Sequence, residues 1–140
     1  MILVVDASVA IKWFLDFRDA EDHCRQALEI LGRIDDGRAR MVQPPHFLAE
    51  MGAVLARKKP ADAVADLSDL MAVEFQSAAE PQVYQTACEI AVRLKQHLFD
   101  TLYHAVALHT PGATLVTADK RYFRSAKNLG QIAFLPDFVQ

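Results

Sequence analysis

Ile2-Leu3-Val4-Val5-Asp6 and Thr114-Leu115-Val116-Thr117-Ala118-Asp119 are the two stretches whose reading decides the fold. Each is a short, largely β-branched and aliphatic run that is followed closely by an acid. Strands of that kind are buried on both faces, as they are in parallel sheets. Around and between them the apolar residues switch to helical spacing. Val9, Ala10, Trp13 and Phe14 suggest a short helix directly after Asp6. Ala20, Cys24, Ala27, Leu28 and Leu31 mark a helix over residues 19–34, closed by Asp35-Asp36-Gly37. Phe47, Leu48, Met51, Val54 and Leu55 continue a stripe from Pro45, since proline is tolerated in a first helical turn. Further helices are expected from Pro60 to Met71, from Pro81 to about Gln96, and from near Asp100 to the stop at Gly112. Arg40 to Gln43, a half-exposed or edge strand over Val73 to Ser77, and Ile132-Ala133-Phe134 complete the strands. Strands alternating with helices predict an α/β fold around a parallel sheet.

The chain of 140 residues suits one domain, 1–140, with a core of its own. At 52% apolar and 24% charged residues it is neither disordered nor fibrous. Cys24 and Cys88 have no CxxC or Cys/His spacing, so they read as buried thiols of a reducing compartment rather than a disulfide or zinc framework. His23, His46, His97 and His109 form no HxxxH or HExxH pattern. No segment approaches the roughly 18 apolar residues of a membrane span. Met1 leads straight into the first strand with no basic leader, so no membrane association and a cytoplasmic location are expected. A net charge of −3 argues against a general nucleic-acid coat, whose affinity comes from Lys and Arg on phosphates. Two basic clusters, Arg57-Lys58-Lys59 and Lys120-Arg121 with Arg124 and Lys127, are either solvated helix ends or flanks that guide a phosphate backbone.

Four acids stand out. In open α/β sheets ligands bind beyond the carboxyl ends of the strands. Asp6 and Asp119 occupy that position, and they meet if their strands are neighbours; each alone also reads as a strand-end turn residue. Glu50 interrupts the apolar turn Phe47-Leu48-Ala49-Glu50-Met51, where a charge is either ion-paired, surface-exposed or a metal ligand. Asp100 stands at a helix start, where an acid also serves as a cap. Gathered together, carboxylates repel one another, and a hard divalent cation removes that cost. A metal held by such a set suits phosphodiester hydrolysis. With 18 acids in the chain, spacing alone leaves other groupings open.

The opening Val4-Val5-Asp6-Ala7-Ser8-Val9-Ala10-Ile11-Lys12-Trp13-Phe14 resembles the start of PIN-domain ribonucleases, and in particular the VapC-type toxins of toxin–antitoxin pairs. Three further blocks follow in the family's order. They are Phe47 to Leu55 around Glu50, Phe99-Asp100-Thr101-Leu102-Tyr103-His104 with its continuation to Leu108, and Leu115 to Phe123 around Asp119. The ending Phe134-Leu135-Pro136-Asp137-Phe138 is similar too. The resemblance implies a three-layer α/β/α sandwich with a central parallel sheet of about five strands. It implies an endoribonuclease that uses Mg2+, with Mn2+ as the alternative, on an RNA substrate. It also implies a homodimer and a small VapB-type antitoxin that blocks the site. Carried over residue by residue, it makes Asp6, Glu50, Asp100 and Asp119 the catalytic metal ligands.

Ser8 and Thr117 either support that site by hydrogen bonds or are ordinary caps. Lys12 is either a phosphate contact or a solvated lysine, and His104, one turn beyond Asp100, reads as structural. Thr101 stands where the family often has Ala. Tyr122 and Phe123 stand where some relatives carry an extra acid, so no fifth ligand is expected. A dimer would use the stripe at Met51, Val54 and Leu55, or the helix from Pro60 to Met71, if those are not ordinary core. Rival readings fit less well. A haloacid-dehalogenase-type phosphatase wants an acid where Ser8 stands, a receiver domain wants an acidic pair absent here, and an inactive partner-binding module has no need of all four acids.

Overall fold

A computed structural model describes residues 1–15 and 22–138. The predicted helix over 19–34 therefore falls partly outside the described residues, Ala20 included.

The first apolar run is strand β1 (Ile2–Val5), in which Leu3, Val4 and Val5 are buried. Asp6 ends it and caps the one-turn helix α1 (Ala7–Ala10) by accepting from the Ser8 N–H at 3.1 Å. A 3-10 turn, Ile11–Trp13, follows. Helix α2 (Cys24–Asp35) buries Cys24, Ala27, Ile30 and Ile34, spaced along one face, and Gly37 makes the turn after it at φ 81°. Strand β2 (Arg40–Gln43) leads into α3 (Phe47–Lys58). That helix starts two residues after Pro45, beyond a turn. Its stripe at Met51 and Leu55 is fully buried core, which removes those residues from any dimer surface.

Helix α4 (Ala63–Met71) packs on α3 and starts three residues after Pro60. The alternating stretch Val73 to Ser77 pairs over only two residues, strand β3 (Gln76–Ser77). Helices α5 (Pro81–Leu94) and α6 (Leu98–Leu108) pack on each other. Strand β4 (Ala113–Thr117), helix α7 (Lys120–Ala126) and strand β5 (Ile132–Phe134) close the fold. Cys24 is buried as expected, but Cys88 is exposed on α5.

The strands form one parallel five-stranded sheet in the order β3-β2-β1-β4-β5, flanked by helices as a three-layer α/β/α sandwich. The chain builds outward from β1 to β3, then returns to lay β4 against β1, with Val5 opposite Val116. The order thus reverses between β1 and β4. A crevice opens at the carboxyl ends of the strands where such a reversal occurs. Asp6 and Asp119 flank that crevice, so the adjacency that the sequence left conditional is realised.

Candidate functional site

At the crevice, Asp6 is 8% exposed. Its Oδ2 accepts from the Ser8 N–H, from the Ser8 hydroxyl, and from the Thr117 hydroxyl at 3.4 Å. All of these reach one oxygen, which leaves Oδ1 with no protein donor among the described residues. The Ser8 Oγ in turn accepts from the Ala118 N–H at 3.0 Å, and the Thr117 Oγ1 accepts from the Asp119 N–H at 3.1 Å. Two hydroxyls therefore tie the end of β1 to the end of β4. Asp119 caps α7 through Oδ1, which accepts from the Tyr122 N–H at 3.0 Å.

The other two acids come from helices. Glu50, half-buried on α3, accepts from the Tyr103 hydroxyl at 2.7 Å. Asp100 lies in the first turn of α6, which begins at Leu98; the cap is His97, whose Nδ1 accepts from the Phe99 N–H. Asp100 is thus not the capping residue, and its carboxylate is spared that role. Asp6, Glu50, Asp100 and Asp119 all line one cleft of about 350 Å³.

The electrostatics follow from this grouping. Burial pushes the Asp6 carboxyl up to about 7 against the lowering effect of its hydrogen bonds, and the charges of Asp100 and Glu50 add to the rise. Burial also raises Glu50, with Asp100 adding to it, and raises Asp100, with Asp119 adding to it. None of the four forms an ion pair with Lys or Arg among the described residues. The basic group facing Glu50 is His46, whose Nε2 is 4.0 Å from Oε1 and whose burial favours the neutral ring. Burial and the neighbouring carboxylates drive the Tyr103 phenol far upward, so it stays a donor to Glu50.

This is an all-oxygen donor set with no ion pair to Lys or Arg among the described residues, and it fits a hard divalent cation. Among the described residues, no three Asp, Glu, His or Cys side chains are close enough to hold a metal by themselves. An open set of this kind suits magnesium, which is bound through one or two carboxylates and keeps several waters.

The cations around the cleft divide sharply. Arg57 and Lys58 line it. Lys59, from the same cluster, is turned away and donates to the Phe14 carbonyl at 2.6 Å and to Asp66 at 2.7 Å. Lys12 also lines the cleft but is not solvated; it is 6% exposed, and its Nζ donates to the Asp22 carbonyl at 2.7 Å. From the second basic cluster, Lys120, Arg121, Arg124 and Lys127 are exposed and none lines the cleft. A larger cleft, about 770 Å³, lies at the β3 edge, but Glu80 is its only acid and no Lys or Arg lines it. Asp6, Glu50, Asp100 and Asp119 all line the smaller one.

His104 is structural. Its Nε2–H donates to the Gly130 carbonyl at 2.8 Å, its Nδ1 accepts from the Tyr122 hydroxyl at 3.0 Å, and burial keeps it neutral. Sequence reasoning missed two supports. Tyr103 holds Glu50, and the fully buried Gln43 braces β1 just before Asp6. A glutamine directly after the apolar pair Met41-Val42 is the only sequence signal for the latter.

A family model described as the PIN domain matches residues 3–129. The fold is shared with a chain of the VapBC-1 structure from nontypeable Haemophilus influenzae, at 15% identity and TM-score 0.65, over 98% of this chain and 100% of that one. It is also shared with a chain of the VapBC2 structure from Rickettsia felis, a complex bound to a DNA fragment from their promoter. There the identity is 16% and the TM-score 0.61, over 96% of this chain and 97% of that one. No curated protein sequence matches the chain. Among the described residues no helix is long and apolar enough to cross a membrane.

Proposed function

The chain belongs to the PIN-domain family, a family of nucleases, and from that premise we propose that it is a magnesium-dependent endoribonuclease, the toxin of a toxin–antitoxin pair. The observation that carries this reading is the cleft itself. Four carboxylates from four separate elements line it, none ion-paired with Lys or Arg among the described residues, with Arg57 and Lys58 on its flank.

Asp6, Glu50, Asp100 and Asp119 would hold Mg2+, or Mn2+, directly or through water. A cation bound there supplies polarisation of a phosphoryl oxygen and a lowered pKa for bound water. The chain's own residues do the positioning. Ser8 and Thr117 aim the Asp6 carboxylate by fixing Oδ2, Tyr103 fixes Glu50, and the hydroxyl bridge keeps Asp6 and Asp119 in register. Arg57 and Lys58 bind the RNA phosphates on either side of the bond to be cut. Hydrolysis leaves a 3′-hydroxyl and a 5′-phosphate.

The structural neighbours are named as VapBC complexes. By analogy this chain pairs with a small antitoxin of the VapB type, a segment of which covers the cleft and offers an arginine to the unpaired carboxylates. A cytoplasmic homodimer as the active form belongs to the same reading.

The test is cleavage of total RNA with magnesium by wild type, by Asp6→Asn, and by wild type with EDTA. Cuts that need the metal and vanish in the folded variant support the reading. Near-normal turnover by Asp6→Asn would sink the assignment of the site. No cleavage by metal-loaded wild type would favour a partner-binding module.

A further inference from the structure

Phe99, the residue before Asp100, is a 49%-exposed apolar ring. For a surface side chain it is mounted rigidly. Its N–H donates to His97 Nδ1 at 3.1 Å, and its carbonyl accepts from His46 Nε2 at 2.9 Å. Both imidazoles also pack against the phenyl ring. His97 meets it edge-on with centroids 4.9 Å apart, and His46 is tilted at 5.1 Å. Two histidines, one before α3 and one before α6, hold a single exposed aromatic by its backbone and its ring.

That ring walls a groove of about 470 Å³ whose lining includes Ala49, Ala53 and Val54 of α3. Glu50 and Arg57 line both this groove and the acidic cleft, so the two are continuous. From one end to the other, the surface offers a fixed aromatic wall, a small-residue apolar lining, a cation and then the acids. Proteins that hold single-stranded RNA combine these parts, with bases stacked on aromatic rings and cations along the backbone.

We propose that the groove beside Phe99 is a nucleobase subsite, in which an unpaired base next to the scissile phosphate stacks on the phenyl ring. The inference deepens the ribonuclease reading and rests on it. Ala49, Ala53 and Val54 offer no polar side-chain group to read a base edge. Of the polar lining residues, His46 is tied to the Phe99 carbonyl, Glu50 to Tyr103, and Arg57 is left for phosphate. The subsite therefore selects an unpaired, stackable base over a paired one and discriminates little among bases. Arg57, shared by groove and cleft, takes the phosphate that joins the stacked nucleotide to the one being cut.

The experiment starts from a short single-stranded RNA spanning a cut mapped in total RNA, with 2-aminopurine at one flank of the cut or the other. Wild type, Phe99→Ala and Phe99→Trp are compared in cleavage with magnesium and in 2-aminopurine fluorescence with calcium. The expected result is a KM roughly tenfold or more higher for Phe99→Ala at little change in kcat, loss of the fluorescence change at one flank only, and restoration of both by Phe99→Trp.

Wild-type kinetics and fluorescence in Phe99→Ala would overturn the subsite while leaving the nuclease intact. A fall in kcat alone, not restored by Phe99→Trp, would mean that the ring only positions Asp100, and would also overturn it. A dimer that becomes a monomer in Phe99→Ala, with RNA binding unchanged, would reassign the ring to a contact between copies. Absence of any cut by wild type would instead defeat the ribonuclease reading, and the subsite with it.

Discussion

The side-chain amide of Gln43 grips both backbone groups of Val5: Oε1 accepts the Val5 N–H at 2.7 Å, and Nε2 donates to the Val5 carbonyl at 2.8 Å. β1 and β2 are in register at Leu3 and Met41, and beyond that point the Gln43 amide takes the place of the backbone ladder. Gln43 is fully buried, so the two Val5 groups have no water to turn to. Gln43→Met, similar in volume, should therefore destabilise the protein by about 2–4 kcal/mol, the cost of leaving buried polar groups unpaired. Urea denaturation would show it as a lower midpoint at unchanged slope. A midpoint within error of wild type would mean that β1 re-pairs with β2 on its own.

Asp6 gives a pH dependence whose sign is unusual for an acid. Its carboxyl is raised from 3.8 to about 7 in the metal-free fold. A group with a raised folded pKa contributes stability that is complete below the unfolded value and is lost as pH rises through the folded one. The metal-free protein should thus lose stability between about pH 4 and 7 from this group, with an upper limit of about 4 kcal/mol. Thermal melts in EDTA should find Asp6→Asn more stable than wild type at pH 8 and little different at pH 4. Magnesium should raise the Tm of wild type more than that of the variant. Equal melts for both proteins at pH 8 would show that Asp6 ionises freely.

Tyr103 reaches Glu50 from inside the core, with its ring fully buried and its hydroxyl 2.7 Å from Oε1. Tyr103→Phe keeps the packing and removes the hydroxyl that donates to this carboxylate. Partners of metal-binding side chains are typically worth 10–100-fold in affinity or activity. The variant should need about tenfold more magnesium for half-maximal cleavage, with its melting behaviour little changed. An unaltered magnesium titration would place Glu50 outside the metal site.

What could be read in advance depended on how local each cause was. Asp6 and Asp119 were legible because a parallel strand announces its own carboxyl end. That the two ends meet depends on the return of the chain to β4 beside β1, which neither stretch encodes by itself. Pro45 and Pro60 mark the helix starts early, because turns intervene before Phe47 and Ala63. β3 shrank to Gln76–Ser77, where β2 ends and pairing runs out. Gln43 and Tyr103 act on residues 38 and 53 positions away, so their roles became visible only in three dimensions. Lys12 reads in sequence as either a phosphate contact or a solvated lysine because its partner carbonyl, on Asp22, is ten positions away.

The two basic clusters look alike in sequence but differ in position, and this sets the last expectation. Arg57 and Lys58 line the acidic cleft, whereas Lys120 and Arg121 are exposed and do not line it. Phosphate contacts made by cations weaken with salt, with a slope of about 0.7 per neutralised phosphate on single strands. Arg57→Gln with Lys58→Gln should raise the KM for RNA and flatten its salt dependence by roughly 1.4 in a plot of log KM against log salt, two such contacts being lost. The kcat should change little, because these side chains hold the backbone without touching the acids. Lys120→Gln with Arg121→Gln removes the same formal charge and should leave both constants and the slope near wild type. Equal effects of the two pairs would mean that RNA feels only the net charge of the protein, and Arg57 and Lys58 would lose their place on the path of the phosphates.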